Sequence, residues 1–457
     1  MGGGNGQPNS PGPSRRWLPS GGWASWDQPA HPVRFVGNAA VPTARPNPRR
    51  GFRCPTGSRP PNRRTELMAD PTSGSSTTYR SPLLELPKAV PAPDDSPDSA
   101  VPWHFGDPFV EQRAAETGAV VVDRSHRQVI AVPGEERLSW LHLLISQHVT
   151  ELPDGAGTEA LILDSQGRVE THLVLAHLDG CVWMDTDPGS TVTGARQQAN
   201  QPVLQYLEEM RFWSKVEPRD ASDEYAVLSV VGPAVPTILE GVLGSTPAPL
   251  SDPNLTPVAA LPGGGLVRVV GWRTGPTADL LVPRGELLDW WRRLVELGAR
   301  PAGSWAYESL RVAALRPRAG LDTDGRSIPH ELGWIGGAAH VAKGCYRGQE
   351  TVSKVHNVGR PPRRLLLLHL DGTPELLPEP GDPVSSEGRS VGRVGTVVRH
   401  HELGTIALAL VKRSVPVERE LTAGIPEREV AAAVDPDSVP PEAGDPPGRI
   451  AAQRLRG

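Results

Sequence analysis

Cysteine is scarce in this 457-residue chain: Cys54, Cys181 and Cys345 are its only three, widely separated and odd in number. That pattern excludes a disulfide framework and a four-thiolate cluster site, and it points to a reducing cytoplasm. No run of about 18 apolar residues occurs, so no helical membrane span and no membrane partner are expected. Excess positive charge is missing too. A net charge of -5 gives no support to a nucleic-acid platform. The chain is instead rich in proline and glycine, with 50 and 49 copies, too many for one compact fold at a length that permits two to four domains.

Much of that excess lies at the ends. From Met1 to about Ala100 the chain is rich in Pro, Gly, Ser and Arg and has no sustained apolar periodicity, so it reads as a disordered tail. Arg15, Arg16, Arg49, Arg50, Arg63 and Arg64 invite a transit-peptide or basic-arm reading. The change of composition at Met68 invites the alternative of a translated upstream extension. Arg15-Arg16 lacks the apolar stretch of a twin-arginine export signal. A second frayed tail is expected at 436–457.

Between the tails, strand and helix signals alternate. Order is expected near Trp103, with a short helix over 108–116, strands over 119–122 and 128–132, and a helical face at Leu138, Leu141, Leu144, Ile145 and His148. An antiparallel meander over 160–185 follows, with Cys181 as a small buried hydrophobe beside Trp183. A helix is expected over 194–210. A second module over 225–297 echoes that order, its Trp290-Trp291 pair reads as core, and a further helix is expected over 304–315. Two mixed α/β lobes, split near 215–222, therefore occupy about 101–362 around a shared space. Short strands over 363–435 suggest a small antiparallel barrel. The fold class is α+β.

The chemistry centres on Lys343-Gly344-Cys345-Tyr346-Arg347-Gly348-Gln349-Glu350, which places one thiol between two cations and two glycines. A cysteine reacts as thiolate, and nearby Lys or Arg favours that form. Glycines let a backbone approach a ligand closely. The octapeptide resembles the signature of the YgfZ-type folate-binding proteins, relatives of the glycine-cleavage T-protein implicated in iron-sulfur protein maintenance. The Ser214-Lys215-Val216 step, the run from Tyr307 through Pro317, Pro329 and Glu331, and Gly392 to Val397 are similar to the family as well. The resemblance implies a GcvT-like ring of two lobes and a barrel around a central cavity, with tetrahydrofolate or another reduced folate as ligand.

A folate site needs an aromatic face, a carboxylate for the pterin N-H groups and cations for the glutamate tail. Tyr307 falls where the resembling family places an aromatic. Arg127 lies where it places a ligand-contacting side chain, with a solvated strand charge as the alternative. Glu308 and Glu331 are carboxylate candidates, or else partners of Arg311, Arg316 or Arg318. In the octapeptide, Cys345 is the candidate catalytic or ligand-facing thiol, Lys343 supplies charge to ligand or thiolate, and Glu350 anchors the loop. Gly344 and Tyr346 complete the candidate binding set, and no metal site is expected. The resemblance implies an accessory role in iron-sulfur assembly or repair, with iron-sulfur clients or scaffolds as partners and indirect effects on tRNA modification. The alternative is a folate-dependent aminomethyltransferase or demethylase. T-protein relatives carry paired aspartates where this chain has Glu170-Thr171, and they lack the octapeptide. A third reading, a cysteine hydrolase pairing Cys345 with His340 or His356, finds no triad or oxyanion segment upstream.

Overall fold

The computed structural model describes residues 79–194, 200–357, 359–373 and 375–441. Cys54, Met68, the tail up to residue 78 and the stretch from 442 onward lie outside the described residues. Order starts earlier than Trp103. Ser81 caps a single 3-10 turn, Pro82–Glu85, by accepting from the Leu83 N-H at 3.1 Å. Leu83 is fully buried in a cluster with Leu228 and Trp291. Proline here opens a helical turn, where its missing N-H costs nothing, so a composition that reads as disorder conceals a docked strap.

The strap ends in the antiparallel pair β1 (Val90–Pro91) and β2 (Pro102–His104). Helix α1 (Pro108–Thr117) follows, its first N-H groups capped by the Asp107 carboxylate. The first lobe contains β3 (Val120–Asp123), β4 (Gln128–Pro133), α2 (Arg137–Leu144), β5 (Ala156–Leu163), β6 (Val169–Leu178) and β7 (Cys181–Thr186). The small pair β8 (Thr191–Thr193) and β9 (Asn200–Pro202) precedes α3 (Val203–Glu209). A helix over 194–210 was expected; the helix starts only after Pro202, whose extended backbone ends a strand instead.

The second lobe contains β10 (Arg219–Asp220), β11 (Tyr225–Val231), α4 (Val235–Leu243), β12 (Thr256–Ala260), β13 (Leu266–Trp272), β14 (Gly275–Pro283), α5 (Leu287–Glu296), β15 (Arg300–Ala302) and α6 (Ser304–Ala313). The lobes share one eleven-stranded sheet in the order β10-β4-β7-β6-β5-β12-β13-β14-β11-β3-β15. β12 is the joint, antiparallel to β5 on one side and β13 on the other. β3 pairs with β11 in the second half, and β10 pairs with β4 in the first.

Alternation along the strands separates the cores. Helices α2 and α3 cover one face of the first half through Leu141, Leu144 and Leu207 against Ile162 and Leu173. Helices α4 and α5 cover the second half through Ile238, Trp290 and Trp291 against Leu228 and Leu280. A seam cluster joins the halves, with Cys181, Trp183, Val227 and Leu281 all at 1 % exposure or less. Cys181 thus has the packing role its strand position suggested, and each large apolar side chain so buried contributes about 1.5–3 kcal/mol.

After a long loop, α7 (Gln349–Asn357) leads to the closed barrel β16 (Arg363–Leu370), β17 (Pro383–Ser386), β18 (Arg389–His400), β19 (Gly404–Lys412), β20 (Leu421–Ala423) and β21 (Val430–Val434). Its interior is apolar, with Leu366, Leu368, Val384, Val394 and Ala407 buried together. Gly395, at an irregularity in β18, leaves room for the Asp322 carboxylate. That carboxylate accepts from the Thr396 N-H at 2.7 Å and pairs with Arg311 of α6 at 2.8 Å, tying the barrel to the lobes.

Candidate functional site

The signature loop is held by its two ends and exposes its middle. Lys343 is buried, and its Nζ donates to the carbonyls of His142, Ile145 and Gln147 at 2.5, 2.6 and 3.0 Å. Those carbonyls are the unpaired acceptors at and beyond the C-terminus of α2, where a cation is favoured. Burial pushes the Lys343 pKa down to about 7, while three carbonyl acceptors pull toward the ammonium. Lys343 is therefore a helix cap, and the expectation that it serves ligand or thiolate is corrected.

Tyr346 is buried in the cluster of Leu161, Trp334 and Leu408, with Lys343 Nζ 4.7 Å from its ring centroid; burial pushes its hydroxyl pKa up to about 12. It is a packing residue. With 343 and 346 turned inward, Gly344 and Cys345 between them are exposed. A Cβ at Gly344 would touch nothing closer than His142 Nε2 at 3.7 Å, so no close approach requires that glycine. Gly348 is different. Its φ is +80°, and a Cβ there would lie 2.5 Å from the Asp164 carbonyl and 2.6 Å from Gly167 Cα. The loop thus sits backbone to backbone on the β5–β6 turn. Gln349 Nε2 donates to the Lys343 carbonyl at 2.8 Å, and Glu350 is exposed in the first turn of α7. Arg347 donates to the Thr193 carbonyl at 2.9 Å and lies 3.5 Å from Glu170 Oε2. Glu170 also accepts from the Thr193 N-H and hydroxyl.

Where the lobes and α6 meet, arginines and carboxylates interlock. Arg127 donates to Asp185 and Asp187, both at 2.5 Å. Arg268, fully buried, pairs with Asp185 and with Asp279 at 3.1 Å. Arg318 bonds Asp98 at 2.9 Å and Asp187 at 3.3 Å, and Arg311 bonds Glu308 at 2.6 Å. Tyr307 accepts from Arg124, whose guanidinium carbon lies 4.2 Å from its ring centroid, and Trp272 meets the same ring edge-on at 5.3 Å. Arg316 pairs with Glu159, Glu159 with His172 at 2.8 Å, and His172 stacks on Trp334 at 5.3 Å and 5°. Burial opposes the charged forms of Asp187 and Glu159, but their arginines outweigh it and hold both carboxyls below the usual range. Burial raises the Tyr307 hydroxyl pKa. Arg124, Asp187, Glu308, Glu159, His172 and Arg316 keep 12–25 % of their side chains exposed and form the lattice's solvent-facing members.

Tyr307, Glu308 and Arg127 therefore come together in this lattice. Glu331 does not: it is buried and bound twice by Arg363 at 2.8 Å, at the start of the barrel. Cys345 lies outside the lattice as well. It lines neither the cavity of about 330 Å³ beside Arg127, His126 and Arg284 nor the open cleft of about 1270 Å³ against the barrel at His369, Asp371 and Glu420. The thiol itself is exposed.

The GCVT N-terminal domain model matches residues 100–338, just over half of the chain. The chain belongs to the GCVT family. Residues 363–441 match the CAF17 C-terminal β-barrel domain, which coincides with β16–β21. Among curated relatives of this GCVT chain, an aminomethyltransferase of Herpetosiphon aurantiacus is 25 % identical, covering 73 % of this chain and 90 % of its own. One of Thermotoga neapolitana is 27 % identical, covering 78 % and 96 %. The crystal structure of glycine cleavage system aminomethyltransferase T from Bartonella henselae superposes with a TM-score of 0.64 at 17 % identity, over 78 % of this chain and 96 % of that one, which shows the shared fold.

Sequence reasoning passed over Asp185, Arg268, Asp279, Glu159 and His172 as site residues, and it offered Arg316 as a partner for Glu308 or Glu331 where the structure pairs it with Glu159. A signal was there: Cys181-Val182-Trp183-Met184-Asp185, Leu266-Val267-Arg268-Val269 and Ala278-Asp279-Leu280 each set one charge within an apolar strand. A charge there is costly unless a partner waits across the fold.

Proposed function

We propose that this GCVT-family chain binds a reduced folate at the solvent-facing members of the arginine–carboxylate lattice. The donor set fits the ligand: His172 offers a partly exposed flat face backed by buried Trp334, Tyr307 lies buried beneath Arg124, Glu159 and Glu308 are carboxylates for ring N-H groups, and Arg124 and Arg316 are cations for an anionic tail. The aromatic stack of His172 on Trp334 beside the Arg316–Glu159 pair is the observation that carries this reading. Calorimetry with tetrahydrofolate on the full chain tests it. Tyr307→Ala and Arg316→Ala are expected to weaken binding; absence of heat with wild type overturns it.

The finer role we infer is accessory, in assembly or repair of iron-sulfur proteins in the cytoplasm, with Cys345 as the working thiol. An exposed thiol on a firmly seated loop is open to a protein partner and has no contact with the lattice residues named above. In cells lacking the chain, Cys345→Ser is expected not to restore iron-sulfur enzyme activity, and full restoration overturns the role. One-carbon transfer is the second reading, favoured by the aminomethyltransferase names of the relatives. Against it, the Glu170 carboxylate is engaged by Thr193 and Arg347 and so is poorly placed to exchange a proton with a substrate.

A further inference from the structure

We propose that Glu116, His400 and His401 form a divalent transition-metal site of the zinc class that fastens the GCVT region to the barrel. Candidate donor atoms of the three residues lie within 4.8 Å of one another. Glu116 occupies the last turn of α1, within the GCVT match, and the histidines stand at the end of β18 and in the turn after it, within the barrel match. His401 Nε2 is 2.8 Å from Glu116 Oε1, and the two imidazole centroids are 4.7 Å apart. The backbone holds this placement: Gln112, one turn earlier on α1, accepts from the His401 N-H at 2.9 Å and donates to the Arg399 carbonyl at 3.1 Å. The metal would thus join two elements that are already clamped.

Two imidazoles and a carboxylate are a borderline donor set, which suits Zn²⁺, Co²⁺, Ni²⁺ or Cu²⁺ over Ca²⁺ or Mg²⁺. Tetrahedral zinc with bonds of about 2.0–2.2 Å spaces its donors roughly 3.4 Å apart. His401 and Glu116 must therefore part slightly while His400 closes. The Glu116 side chain is 41 % exposed, so it can move and leaves an entry path, while His401 is 7 % exposed and holds its ring. His400 sets the cost. Its Nδ1 accepts the N-H groups of Glu402 and Leu403, both at 3.2 Å, so the neutral ring carries its proton on Nε2. Coordination through Nε2 moves that proton to Nδ1 and loosens both contacts, which places the affinity in the micromolar range rather than that of a closed structural zinc site.

The experiment is titration of the full chain with ZnCl2 by calorimetry and with CoCl2 by visible absorption, with MgCl2 as the hard-cation control. A single equivalent of zinc is expected, with a tetrahedral cobalt spectrum and no magnesium response. Glu116→Gln and His401→Ala should each weaken zinc binding at least about tenfold. His148→Ala, in the separate surface group of His142, His148 and His340, should leave it unchanged. Zinc should also raise the unfolding temperature of wild type but not of Glu116→Gln. The proposal is overturned if no zinc binds at about 100 µM, or if binding survives Glu116→Gln and His401→Ala, which would assign it to other histidines.

Discussion

Gly348 and Gly344 share the signature loop, yet substitution should separate them. At Gly348 an alanine must hold φ near +80°, which costs about 1–2 kcal/mol for an L residue. Its Cβ would also press on the Asp164 carbonyl at 2.5 Å and on Gly167, backbone atoms that cannot swing aside, and overpacking of this kind adds about 1–3 kcal/mol. The sum, roughly 2–5 kcal/mol, multiplies loop opening by about thirtyfold to a few thousandfold. Gly344→Ala meets only ordinary contact at 3.7 Å and no left-handed φ, so its effect should stay within about 0.5 kcal/mol. Hydrogen–deuterium exchange over residues 343–357 is the assay, supported by tryptic cleavage after Lys343, whose buried side chain a protease reaches only when the loop lifts. Fast exchange and cleavage are expected for Gly348→Ala alone. Equal behaviour of the two variants would refute the backbone-to-backbone seat.

Arg268→Ala leaves Asp185 and Asp279 facing each other without their shared cation, and urea unfolding should show a loss of about 3–5 kcal/mol; a loss below 1 kcal/mol would mean the pairs are not formed. Asp187, Glu159 and Asp324 are held below the usual carboxylate range despite burial, by their arginine partners and, for Asp324, by further hydrogen bonds. The unfolded chain therefore binds more protons in acid. Their stabilisation is present above about pH 4 and is lost as pH falls through the depressed folded-state values. Thermal unfolding from pH 7 down to 3 should show a decline that Asp324→Asn makes shallower, and an unchanged slope would contradict it. Trp213, 95 % exposed, should tolerate serine within about 0.5 kcal/mol, whereas Trp183→Ala at 0 % exposure should cost about 3–5 kcal/mol.

Local pattern carried well where one residue's environment follows from its neighbours. The hairpin turn at Asp164 to Gly167, the apolar face of α5 and the buried Cys181 all follow from periods of two and of 3.6. Lys343 could not be placed that way, because its partners at His142, Ile145 and Gln147 are about two hundred residues away in the chain. Glu331 likewise offers a carboxylate that suits either a pterin or an arginine, and only the arrival of Arg363 decides between them. The same limit hid the lattice. Each charge in β7, β13 and β14 looks like an isolated irregularity until the sheet sets Asp185 beside Arg268 and Asp279. The continuous sheet was also beyond local reading, since β12 shows nothing in its five residues of having a different lobe on each edge.

The exchange of β3 and β10 between halves bears on how the polypeptide matures. β3 emerges early but finds no antiparallel neighbour until β11, about a hundred residues later, and its parallel neighbour β15 comes later still. An amino-terminal fragment ending near residue 215 would leave Val120, Val121 and Val122 with open edges, prone to aggregate. The interval between synthesis of β3 and of β15 is therefore the window in which a chaperone matters most, and scissions placed between the lobes should yield insoluble pieces.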